Sequence, residues 1–248
     1  MQNLLKLEFR KLKKQLAFYI CLGAALSMIL ITFFTFNSMY SPDNSMFTYT
    51  HIDAMVNTFT SSSFITMAAV FIALNVCEDY GQKTVKNFYA KGYTRTEVST
   101  AKIITVYTAT TIMFLILELV GFILGSALFE AGDVGNYKFL AVIGAQYVSA
   151  MAYVSFFLAV SLIIQKIGGA IAISIVATTA INGLLSLADL LLENEKVQLA
   201  DYWLEGTANS LTSISVTQDR MVTCLITSLI YIPVFLFLGQ RLSKNREV

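Results

Sequence analysis

The fold class this sequence predicts is an all-α integral membrane protein: six transmembrane helices with both ends in the cytoplasm. Three observations predict it. Of 248 residues, 56% are apolar and only 13% charged, about half the roughly 25% charged residues of a soluble domain. So much apolar surface exceeds what one water-facing globule hides, since about half of such a protein's surface meets solvent. Six apolar runs approach or exceed the length needed to span a bilayer as helices, and none has the period-two alternation of a barrel strand. Finally, the loops alternate in basic content, with fourteen of the seventeen Lys and Arg residues on one side, as the positive-inside rule requires.

The first sixteen residues read as an amphipathic helix. Leu5, Phe9, Leu12 and Leu16 share one face, while Lys6, Arg10, Lys13 and Lys14 occupy others. Such a helix is expected to lie at the cytoplasmic interface, its bases among anionic lipid headgroups. The apolar run that follows resembles a signal-peptide core in its basic flank. At about 20 residues it is long enough to span, and no small-x-small cleavage site follows it, so it is taken as the first span.

The expected spans are 17–36, 64–77, 103–129, 139–164, 168–192 and 221–240. The second is short and is expected to extend back through 56–63. Inside segments carry the N-terminal bases, then Lys83, Lys86, Lys91, Arg95 and Lys102, then Lys166, then Arg241, Lys244 and Arg246. Outside loops carry Asp43 and Asp53, then Glu130 and Asp133, then an acidic connection over 193–220. That last connection is long for a structureless loop. Its apolar residues Leu199, Trp203, Leu204, Leu211 and Ile214 predict two short helices dipping into the outer leaflet.

Catalytic devices are missing from the sequence. No Walker A motif occurs, and the Gly168-Gly169 pair has neither a preceding strand nor a following Lys-Ser/Thr. His51 with Asp53 supplies two ligands, too few for a metal site. No serine sits in a nucleophile elbow. Cys21, Cys77 and Cys224 lie in or beside apolar runs, as small membrane residues do. The chain is therefore expected to be no enzyme, to carry no cofactor and to bind no nucleic acid.

Polar residues inside the spans are more informative. Glu118 lies midway along span 3, where an ionisable group is costly and faces a bundle interior or water. It reads either as a group that meets a cationic substrate or a proton, or as a protonated structural acid. Asn75, Gln146, Gln165, Asn182 and Asp189 are expected to be helix–helix hydrogen-bond partners. Gly121 and Gly125 form a small-xxx-small pair in span 3.

The segment 78–102 mixes bases, aromatics and turn residues. Gly81 and Gly92 bracket a stretch of short-helix length, on which Val85, Phe88 and Tyr89 share a face. Thr94 with Glu97 fits a capping box for a second helix. This is the pattern of a rigid docking element, with Phe88 and Tyr89 as expected anchors for a partner. Lying outside the membrane, they are expected to be dispensable for folding. The plainer reading is a basic connector that only fixes topology.

With these residues in place the whole chain resembles the membrane subunit of type-2 ABC exporters. The resemblance is carried by the six-span layout, the interfacial N-terminal helix, and an acid, Gly, Thr, Arg and Lys after span 2, here Glu78, Gly81, Thr84, Arg95 and Lys102. The family's Gly-Thr adjacency is broken by Gln82 and Lys83. The resemblance implies a single permease domain over 1–248, with 78–102 holding a coupling helix that seats in a groove of a separate ATPase subunit. It implies two ATPase copies bearing ATP and Mg, and a second permease subunit, identical or homologous. It further implies a place in the bacterial plasma membrane and export of an amphiphilic substrate, a peptide or drug. The small size resembles Gram-positive permeases for antimicrobial peptides. Two other classes remain open on the residues alone: an ATP-independent secondary carrier or channel coupled through Glu118, and a membrane immunity or sensor protein that binds an antimicrobial peptide.

Overall fold

A computed structural model describes residues 2–39, 56, 63–82, 84–129, 136–192, 198–212 and 217–244. His51, Asp53, Lys83, Glu130, Asp133, Glu193, Glu195, Ile214, and the 57–62 part of the expected backward extension of span 2, lie outside the described residues. All regular structure in the described residues is helical. In chain order the helices are α1 (Gln2–Lys14), α2 (Leu16–Met39), α3 (Ser63–Gly81), α4 (Thr84–Ala90), α5 (Arg95–Leu128), α6 (Asn136–Ile164) and α7 (Ile167–Leu192). A 3-10 turn (Leu199–Tyr202), α8 (Leu204–Ser210) and α9 (Gln218–Lys244) complete the chain.

Six helices, α2, α3, α5, α6, α7 and α9, are long and apolar enough to cross a membrane. They run alternately up and down, so that α1, the C-terminal ends of α3 and α9, the N-terminal end of α5 and the α6–α7 turn meet at one end of the bundle. That end carries α1's Lys6, Arg10, Lys11, Lys13 and Lys14, and α5's Arg95 and Lys102; it is called the basic end below.

Burial ranks the helices. In α6 the most apolar stretch is 78% buried, against 11% in α9 and 17% in α7. The axis of the bundle is therefore α6, and its small residues explain why. Ala145, Ser149, Ala150, Ala152, Ser155 and Ala159 keep its surface low, so neighbouring backbones approach closely without a solvent-driven hydrophobic force. Opposite Ala159, a Cβ on Gly239 of α9 would stand 2.8 Å from the Ala159 Cα, so this crossing requires glycine. The outward faces of α7 and α9 present Val176, Leu184, Leu187, Ile226, Leu229 and Phe237, side chains at home against lipid tails.

Two of the differences from the expected bounds have a clear physical reason. The second span reaches Gly81 at its C-terminal end rather than stopping at Cys77. Acids there are tolerated because Asp79 meets two lysines. The second helix capped by Thr94 is continuous with span 3, which the sequence reading began at 103. At 34 residues α5 is roughly 50 Å long, well beyond the ~30 Å hydrocarbon core. Its first turns project past the apolar zone, which brings Arg95 to Lys102 to the basic end.

Candidate functional site

The side chains with unusual chemistry gather at the basic end, where α1, α4 and the first turns of α5 pack on the end of α3. The sequence makes α4 from Thr84–Ala90 and stops it at Gly92, whose φ of +87° suits only glycine readily. Thr94 then starts α5 with the full capping box: its hydroxyl accepts from the Glu97 N–H, and the Glu97 carboxylate accepts from the Thr94 N–H at 2.9 Å. The two turn devices fix the angle between α4 and α5.

On α4 the face expected to hold a partner is turned inward. Val85 is fully buried in a cluster with Leu4 of α1 and with Val98 and Ala101 of α5. Phe88 and Tyr89 are half-buried against the same cluster, beside Tyr80 and Tyr93. The Arg95 guanidinium sits over the Tyr89 ring, 5.9 Å from its centroid. Burial pushes the Tyr89 phenol above its ordinary pKa, and Arg95 pulls it partly back. What α4 leaves exposed is Lys86, Asn87 and Ala90, followed by Lys91 and Gly92. The outward surface is therefore polar and basic rather than aromatic.

Beneath α4 lies a buried ionic cluster. Lys102 of α5, fully buried, pairs with Asp79 of α3 and approaches Glu8 of α1 at 3.7 Å. Lys11 of α1 reaches the other Asp79 oxygen at 2.5 Å. Thr84, the first residue of α4, points its hydroxyl at both the Asp79 backbone carbonyl at 3.0 Å and the Asp79 carboxylate at 3.2 Å. One carboxylate thus ties four helices together. Just below it, Asn75 donates to Gln15 at 2.7 Å, joining α3 to the α1–α2 junction. Two acids and two bases so desolvated are stable only in company, since a lone charge there would cost several kcal/mol.

The residues singled out from the sequence fall as follows. Thr84, Val85, Phe88, Tyr89, Arg95 and Lys102 come together at this junction. Gly81 ends α3, and nothing within 4 Å crowds it. Glu78 accepts from Gln82 at 2.9 Å on the outer side. The acid that pairs inside is its neighbour Asp79, which the sequence reading passed over. Glu8 was also passed over: α1 buries Leu4, Glu8 and Leu12, with Leu5 and Phe9 of the expected stripe half-buried beside them and Leu16 exposed. A signal was present, since Glu8 is the one acid in a basic helix, placed three residues before Lys11.

Glu118 is buried in α5 on the face that carries Phe114, Leu117 and Gly121. Its Oε2 has no hydrogen-bond partner among the described residues. It lies deep in the bundle, apart from the basic-end junction. Gln146 of α6 does bond other elements, through backbone rather than side chain: its amide donates to the carbonyls of Val56 at 3.0 Å and of Leu211, the C-cap of α8, at 2.9 Å. Asp189 accepts from the N–H groups of Leu199 and Ala200, fastening the 3-10 turn to the end of α7. Among the described residues no group of three or more His, Cys, Asp or Glu is placed to hold a metal.

Residues 4–182 match the family model described as ABC-2 family transporter protein. That stretch runs from α1 into α7 and contains the whole junction. No curated protein matches the chain.

Proposed function

The chain belongs to the ABC-2 transporter family and is a multi-pass membrane subunit of an ABC transporter; on that premise we propose that it is the permease of an ATP-driven exporter, with α4 as the helix through which separate ATPase chains drive it. The observation that carries this reading is the way α4 is mounted. A helix that only fixed topology would need no such mounting. Here α4 is seated on Val85, stopped at Gly92 and bonded through Thr84 to the Asp79 carboxylate, which in turn holds α1 and α5. A push on its exposed Lys86–Asn87–Ala90 face passes at once to the ends of α3 and α5. Those helices run from the basic end across the bundle, so a small displacement of α4 tilts two spans together.

In this reading ATP and Mg belong to two ATPase chains below the membrane, and closing of that pair moves α4. A second permease subunit completes the pathway. The basic end faces the cytoplasm, as the Lys/Arg distribution favours, and the cargo is an amphiphile, a peptide or drug, moved outward.

The test is a photo-crosslinking residue at Asn87 with a control at Leu115, which faces outward from α5. Expressed with its ATPase, the Asn87 variant gives a crosslinked permease–ATPase band and the Leu115 variant does not. No band from Asn87, Lys86 or Ala90 would refute the coupling role of α4. Orientation is tested separately with single cysteines. An impermeant reagent should label positions 43, 133 and 195 in intact cells, and leave 91 and 244 unlabelled.

A further inference from the structure

At the opposite end of the bundle a cavity of about 140 Å³ lies between α3, α6, α7 and α8. Its wall includes the rings of Tyr153 and Phe157, the side chains of Thr178 and Thr179, and Glu205 and Asn209 from α8. It is close to the ~150 Å³ of an apolar cavity that takes up benzene, but its chemistry differs in one respect: it has a carboxylate.

Three features define what that carboxylate would accept. First, Glu205 is held in place. Trp203 donates its indole N–H to the Thr178 carbonyl at 2.9 Å. A Cβ on Gly206 would come within 2.0 Å of the Ala200 carbonyl oxygen, so α8 sits directly on the 3-10 turn, and that turn is fastened by Asp189. Second, Glu205 Oε2 is shielded from solvent without a hydrogen-bond donor among the described residues, and burial pushes its carboxyl upward from the ordinary glutamate value. Third, the hydroxyls of Thr178 and Thr179 donate to carbonyls of their own helix, those of Ile175 and Val176 among them. Their protons are spent, so only lone pairs remain toward the cavity. The Tyr153 hydroxyl and the Asn209 amide can accept as well as donate, so with one carboxylate and two aromatic rings, whose centroids are 5.8 Å apart, the wall suits a donor that is also a cation.

We propose that this cavity binds the ammonium-bearing end of a cationic amphiphile, with Glu205 as its counter-ion and Tyr153 and Phe157 against its apolar portion. As a site for transported cargo it rests on the reading of the chain as an export subunit; binding of the cation itself does not.

The chain has a single tryptophan, Trp203, bonded to the cavity wall and two residues from Glu205, so its emission reports occupancy. The full chain in nanodiscs is titrated with benzylammonium, and with benzyl alcohol as a neutral molecule of similar shape. Saturable change is expected with benzylammonium, and at least tenfold weaker or no saturation with benzyl alcohol. Glu205→Gln should weaken benzylammonium at least tenfold and leave the benzyl alcohol response unaltered. Thr179→Val, which keeps the carboxylate, should weaken it less. Thermal unfolding of each variant without ligand identifies any that fails to fold; should Glu205→Gln fail, Glu205→Asp takes its place and should weaken binding measurably. Equal response to the charged and neutral probes, or unchanged affinity in a folded Glu205 variant, overturns the site. No ATPase enters this measurement, so its failure leaves the coupling role of α4 standing.

Discussion

The two ends of the bundle are held by different forces. At the basic end the helices are tied by side chain to side chain, through full charges: Glu8, Lys11, Asp79 and Lys102, all wholly or largely out of water. At the far end they are tied by side chain to backbone. Gln146 holds two carbonyls, Asp189 of α7 caps two N–H groups, and Trp203 donates to a carbonyl of α7. The far end's one described ion pair, Arg220 with Asp201, lies at the surface. Bonds to backbone hold fixed pieces of chain, and cutting one costs only the groups it leaves unpaired. A buried ionic knot is cooperative, since each charge is tolerable only because the others are there. Such a knot suits a junction that must move as one body. The far-end arrangement suits a folded segment that encloses a cavity.

If that contrast is right, cutting the knot gives the largest effect. Lys102→Met leaves Asp79 and Glu8 short of a counter-charge and should cost about 3–5 kcal/mol, read as a lower unfolding midpoint in detergent. Adding Glu8→Gln to Lys102→Met should recover part of the loss. A double variant as unstable as the sum of the singles would mean the cluster is not coupled. The next effect belongs to the far end. Gln146→Leu strands the Val56 and Leu211 carbonyls and should cost about 1–3 kcal/mol, with faster amide exchange confined to residues 198–212. Exchange that also quickens around α4 would erase the distinction between the ends.

Phe88→Ala comes third. Half-buried against Leu4 and Val98, it should cost roughly 1 kcal/mol, about half the gain from burying a whole phenylalanine. It should also loosen α4 and so weaken ATPase capture. Reduced capture with no change in unfolding would show instead that Phe88 meets the partner directly. The smallest effect is Arg220→Ala. An exposed pair contributes about 0–1 kcal/mol and is screened by salt, so its unfolding midpoint should match the parent's in high salt. A loss comparable to Lys102→Met would overturn the assignment of charge-based cohesion to the basic end.

How much of this was legible differs from residue to residue. The spans were, because hydropathy over some 20 residues is a sum that no neighbour overrides. So was the Thr94–Glu97 cap, whose partners are three residues apart. The outer short helices were foreseen from Trp203 and Leu204, and their docking onto Thr178 was not. Glu8 was missed because an apolar stripe counts leucines, whereas Glu8 turns inward only when Lys102, ninety-four positions along, is waiting. Asp79 was overlooked beside Glu78, since two adjacent acids at a helix end look alike until the helix is placed.

The sequence alone determined the six spans, their alternation, the position of α4 and the devices that start and stop it. Each depends on local composition or on bonds within a few residues. Only the tertiary structure decided which face of α4 is free, which acid sits in the ionic knot, and that Glu205 rather than the mid-span Glu118 lines the cavity described here. Those choices depend on which charges and rings meet across the bundle. Desolvation makes each of them all-or-none, and a linear chain carries no sign of it before the helices pack.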